Sequence, residues 1–152
     1  MNLGKKIILV IIFVVFYFFL LRPVRSGVIE IINSNIELVV GNVTSSSSTG
    51  IKINYEKEDF SKKFSFKSPF GMFFLLSTVC LIFMGSDWKK LGLLSILHLC
   101  LWILAFGCFL IGSKGSVFFL QTMDFLIRYL IPLCTLGYPL YLIIESKMES
   151  TS

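Results

Sequence analysis

Charge is scarce in this sequence. Only 15% of its 152 residues are charged, 55% are hydrophobic, and the mean hydropathy is +0.84. That balance excludes an ordinary water-soluble domain, whose apolar pattern is broken by charge. A single histidine, His98, is present, so a metal or catalytic centre cannot be built from paired imidazoles. No Cys-x-x-Cys motif occurs. Cys80, Cys100, Cys108 and Cys134 all lie inside apolar runs, and the polar loop that a disulfide framework would staple has none. They read as small apolar packing residues. The net charge of +5 is dispersed, with no basic stripe or aromatic-interleaved platform. Nucleic acid is therefore excluded as a partner, and basic flanks of membrane spans account for the excess. No small-x-small cleavage site follows the first apolar run, so that run reads as a retained span and not as a signal peptide. No internal repeat is present.

Long apolar runs are abundant. Ser68 to Gly112 holds two of them, joined by the tight polar turn Ser86-Asp87-Trp88-Lys89-Lys90. Each approaches the length that a helix needs to cross a hydrocarbon core about 30 Å thick. A helix satisfies its own backbone in lipid, so the pair reads as an antiparallel membrane hairpin. The expected fold is an all-α membrane protein with four transmembrane helices, in a single domain over residues 1–152. The expected spans are about 7–24, 69–85, 90–111 and 125–144, with a small extracytoplasmic module over 26–67 made of a helix and a β-hairpin.

Several local patterns support this layout. Val28, Ile31, Ile32, Ile36, Val39 and Val40 recur at helical spacing, with Glu30, Asn33, Ser34 and Glu37 opposite. That is an amphipathic helix, which either continues the first span or lies on the membrane surface. Gly41 to Gly50, with its serine run, reads as a linker. Ile51, Ile53 and Tyr55 alternate, as do Phe64 and Phe66, around a charged turn at 56–59. This predicts a hairpin that must lean on the amphipathic helix or on a partner, since two strands alone are marginal in water. Ser68 and Pro69 suit a helix cap and first turn, as Asp87 suits a cap. In the last apolar region, Val117 to Asp124 reads as an interfacial lead-in. The span after it carries Pro132 and Pro139 as expected kinks.

The positive-inside rule does not choose an orientation. With the N-terminus in the cytoplasm, Lys5, Lys6, Lys89, Lys90 and Lys147 are inside, while Arg22, Arg25, Lys62, Lys63, Lys67 and Lys114 are outside. The basic start before the first run and the Ser-rich, strand-forming segment point to N-in and C-in.

Few residues offer chemistry. An ionisable side chain in a span is a functional candidate by default, and His98 is one. Its helical neighbours are Leu91, Leu94, Ser95, Leu101, Trp102 and Ala105, of which only Ser95 is polar. A neutral histidine bonded to another helix fits better than a catalyst. Asp124 and Arg128 have the spacing of a helical ion pair, and Gln121 shares their face. The three form a polar strip expected to face protein and not lipid. No cysteine has a local cation or base to activate it. No cofactor is implied.

The layout as a whole resembles the small membrane proteins that accompany exosortases in some bacteria. It comprises a lone first span, an outer helix-then-strand segment, the run Phe64-Ser65-Phe66-Lys67-Ser68-Pro69-Phe70-Gly71 into the second span, and a Pro-containing last span. The resemblance implies an accessory role beside a membrane protease-transpeptidase that sorts proteins to the cell surface. Exosortases themselves carry Cys, Arg and His in that chain order. Here His98 precedes Arg128, and no Arg lies between Cys80 and His98, so the chain does not look like the enzyme. The expected function is a non-catalytic accessory subunit of an envelope membrane complex, with the bilayer and a membrane protein, an exosortase by resemblance, as partners. The alternatives are a small membrane enzyme using His98 and a cysteine, or a small-solute carrier or pore.

Overall fold

A computed structural model of the chain describes residues 2–35, 42–47, 49–57, 60–85 and 87–149. It contains four helices and one sheet: α1 (Leu3–Asn35), β1 (Asn42–Ser47), β2 (Gly50–Lys57), β3 (Phe60–Lys67), α2 (Met72–Met84), α3 (Trp88–Ser113) and α4 (Val117–Met148). Helices α1, α3 and α4 are each long and apolar enough to cross a membrane. They fit a helical membrane protein. Large side chains such as Ile8, Ile11, Phe19, Ile96, Ile103 and Leu133 are exposed along them, as lipid-facing surfaces require.

Helix α2 departs from the expected second span. Its 13 residues rise about 20 Å, short of a hydrocarbon core of about 30 Å. Among the described residues three helices, not four, therefore meet the length requirement. The shortening has a local cause. Pro69 does not start the helix, because Phe70 takes a left-handed backbone (φ 53°) and Gly71 is the residue before the first turn. Ser68 does not cap it either. Its hydroxyl donates to the Thr49 carbonyl at 3.2 Å and accepts from Arg25 Nε at 3.1 Å. Helix α2 thus begins beside His98, ten residues after the start of α3, and pairs with only the first part of it. Gly85 ends α2 at φ 74°, and Lys6 Nζ donates to the Phe83 carbonyl at 2.6 Å. A cation is favourable at that helix end.

Two helices contain a π-helical turn, Tyr17–Leu21 in α1 and Leu126–Leu130 in α4. Proline removes one helical N–H and its ring crowds the carbonyl four residues earlier. For Pro23 and Pro132 those carbonyls belong to Phe19 and Arg128, each inside a π-turn. The wide turn absorbs the conflict, so both helices continue. The expected lead-in at 117–124 is accordingly part of the same helix as the span after it. The amphipathic segment likewise continues α1, through Asn35. Its buried residues are Ile29 and Ile32, whereas Ile31 is 65% exposed. Ile36, Val39 and Val40 lie outside the described residues.

The strands form one antiparallel sheet in the order β1-β2-β3. The expected hairpin is β2–β3, with Ile53 opposite Phe64 and Ile51 opposite Phe66. The segment read as a linker supplies a third strand, β1, with a register shift between Val43 and Ser45. The protein is mostly helical, as expected, and its small strand module has three strands where two were expected. Ile51, Ile53, Tyr55, Phe64 and Phe66 are all buried. They pack with Ile29 and Ile32 of α1, Ala105, Cys108 and Phe109 of α3, and Leu120, Met123 and Leu126 of α4. Phe66 stacks on Phe109 with ring centroids 4.6 Å apart. A second core joins Phe74 and Leu81 of α2 to Leu94 of α3 and Leu142 of α4. At the α3–α4 turn a Cβ on Gly112 would stand 2.7 Å from the Leu120 side chain and 2.9 Å from its backbone nitrogen. Only glycine allows that approach.

Candidate functional site

Between the two cores lies a polar layer centred on His98, which is 4% exposed. Helix α3 supplies the imidazole, the turn before α2 supplies a backbone amide, and α4 supplies a hydroxyl. The Phe70 N–H donates to His98 Nε2 at 2.9 Å. Because Nε2 accepts, the neutral ring carries its proton on Nδ1, which lies 3.0 Å from Thr135 Oγ1. Thr135 Oγ1 in turn donates to the Ile131 carbonyl at 2.6 Å, and Ser77 Oγ donates to the Thr135 carbonyl at 2.7 Å. The Phe70 ring stacks on the imidazole at 5.3 Å, and Phe74 lies at 5.2 Å. Both ring nitrogens are occupied, so the imidazole has no lone pair left for a thiol or a metal.

Beside this layer is a cavity of about 510 Å³, within the usual size range of small-molecule sites. Both π-turns contribute to its lining: Tyr17 and Phe18 belong to one, Ile127 to the other, and Pro132 follows. Arg22, Arg25 and Lys67 bring three cations to its wall. Arg25 is held by neutral oxygens only, Tyr17 Oη at 2.7 Å and Ser68 Oγ at 3.1 Å, with its guanidinium 5.9 Å from the Tyr17 ring. Among the described residues, no carboxylate is seen to pair with any of the three cations, whereas Arg128 pairs with Asp124. Trp102 Nε1 donates to the Lys67 carbonyl at 2.9 Å, closing the wall beside the sheet. Met72 and Phe73, in the first turn of α2, line the same space.

Of the residues singled out in the sequence, His98 lines this cavity. Gln121, Asp124 and Arg128 do not. Arg128 Nε donates to Asp124 Oδ1 at 2.7 Å, as their spacing predicts. Gln121 and Arg128 are exposed, however, and Asp124 is half-buried, so the strip faces outward from this chain and not into it. Among the described residues no group of His, Cys, Asp and Glu is gathered closely enough to hold a metal ion. In the sequence alone Arg22 and Arg25 read as basic flanks of the first span, and their place in the cavity wall is not apparent. A signal was present: Tyr17 and Arg25 lie eight residues apart, roughly two helical turns, and no acid precedes Glu30 in α1. No protein-family model, curated protein or solved structure matches this chain.

Proposed function

We propose that this protein is a non-catalytic subunit of a membrane complex in the bacterial envelope. The observation that supports this most is the outer face of α4. There Gln121 and Arg128 are exposed on a membrane-crossing helix, among exposed Phe118, Phe125 and Tyr129. This end of α4 lies level with the sheet, which packs on Leu120, Met123 and Leu126, and an exposed patch of large apolar and aromatic side chains with polar groups among them is characteristic of a protein-interaction surface. A second membrane protein against this face would hydrogen-bond the polar groups and pack the aromatic ones. The occupied imidazole of His98 fits a structural role better than a reaction centre.

In this reading the N- and C-termini are cytoplasmic and the sheet is extracytoplasmic. Helix α2 descends from the cavity toward the cytoplasmic side. A turn at that depth is tolerated because protein encloses it. The partner we propose is an exosortase-like protease-transpeptidase, on the layout resemblance alone. Photo-crosslinking from Gln121 tests the interface in native membranes. A single heavier adduct, absent when the probe replaces Leu140 lower on α4, is the expected result. Adducts to lipid only would contradict it.

A further inference from the structure

We infer that the cavity between α1, the start of α2 and α4 is a binding site for one phosphate-headed amphiphile. Its two walls differ in chemistry. One carries Arg22, Arg25 and Lys67 with no carboxylate partner among the described residues. A half-buried guanidinium without a counter-charge is costly. Tyr17 and Ser68 orient it without neutralising it, which leaves its remaining N–H groups for an anion. The other wall is apolar, formed by Phe18, Met72 and Phe73, which are 43%, 68% and 48% exposed. Those residues reach the surface within or beside the apolar segments of α1 and α2. A ligand with an acyl chain can therefore enter sideways from the bilayer and leave its chain along them.

The head group follows from the donors. A phosphate offers several oxygens and up to two charges, which match a guanidinium fork flanked by two further cations. A carboxylate would occupy the fork alone. The open end of α2 adds a weaker positive potential on the same side. A zwitterionic lipid places a cationic group next to the phosphate, choline in phosphatidylcholine, and three cations would repel it. Occupancy of this cavity does not depend on whether a protein partner covers α4.

The test uses the full-length protein in mild detergent, with dioleoyl phosphatidic acid, dioleoyl phosphatidylcholine and inorganic phosphate as probes in native mass spectrometry and thermal melting. One phosphatidic acid should bind per chain and raise the melting temperature. Phosphatidylcholine should bind at least tenfold more weakly, and inorganic phosphate at millimolar concentration should leave the melting temperature unchanged. Arg25→Gln should abolish the preference. That change also cuts the ties to Tyr17 and Ser68, so Arg22→Gln and Lys67→Gln serve as the decisive variants. Neither side chain has an ion pair or a side-chain hydrogen bond among the described residues. Each should weaken phosphatidic acid several-fold while the lipid-free melting temperature stays constant. Equal binding of the two lipids, full stabilisation by inorganic phosphate, or unchanged affinity in both variants would overturn the proposal.

Discussion

Phe70 and His98 hold each other in place: the Phe70 amide, on a left-handed backbone, donates to His98 Nε2 at 2.9 Å while the two rings stack. A non-glycine residue in that backbone region costs about 1–2 kcal/mol. The buried hydrogen bond and the stacking offset it. Replacing His98 by Leu keeps much of the volume but strands the Phe70 N–H and removes the link to α4. The expected loss is about 2–4 kcal/mol in denaturant-induced unfolding from detergent, through an unsatisfied buried donor and lost packing. Unchanged stability would mean that this layer does not tie the helices together.

Thr135 sits at the other end of the same chain of bonds, 1% exposed. Thr135→Val preserves shape but removes the oxygen facing His98 Nδ1. About 1–3 kcal/mol should be lost. In a double-mutant cycle with His98→Leu the two losses should be strongly non-additive, because both break one network.

Thr78 presents the opposite case. Its hydroxyl is buried and has no hydrogen-bond partner. Thr78→Val therefore removes a polar atom that stabilises nothing, and stability should stay level or rise by up to about 1 kcal/mol. A loss above that range in the same unfolding assay would show that the hydroxyl has a partner.

Gly112 lies against Leu120 where α3 turns into α4. Gly112→Ala places a carbon within 2.9 Å of a backbone nitrogen, which the turn cannot yield cheaply. Overpacking of this kind costs about 1–3 kcal/mol. Gly92, with open space around it, should accept alanine with little change.

Phe66 anchors the sheet to the helices, fully buried and stacked on Phe109. Phe66→Ala should cost about 3–5 kcal/mol. It should also expose β2 and β3 to hydrogen exchange before α3 unfolds. Simultaneous loss of protection in sheet and helix would contradict the two-core arrangement.

The parts of this fold that were legible in the sequence rest on strong local signals. Three of the four apolar runs read as spans form helices long enough to cross a membrane, and the alternation of Ile51, Ile53, Tyr55, Phe64 and Phe66 forms the buried face of the sheet. Other features depend on distant partners and leave little local trace. Ser68-Pro69 reads as a helix start, yet Thr49, Arg25 and His98 draw residues 68–70 into a turn and shorten α2. Asp87 does precede the first turn of α3, but its side chain makes no cap bond there. The serine-rich segment forms β1 because β2 offers it an edge, whereas its own composition suggests only a linker. His98 was recognisable as a lone buried imidazole. Its neighbours in the cavity wall were not, because Arg22 and Arg25 look like ordinary basic flanks until the π-turns bring them beside Lys67.

The most direct test of the central claim is recovery of the tagged protein from native membranes in mild detergent, followed by mass spectrometry of what accompanies it. A stoichiometric membrane-protein partner, lost when Gln121 and Arg128 are both replaced by leucine, is the predicted result. Recovery of this chain alone, as monomer or homo-oligomer, would contradict the subunit reading.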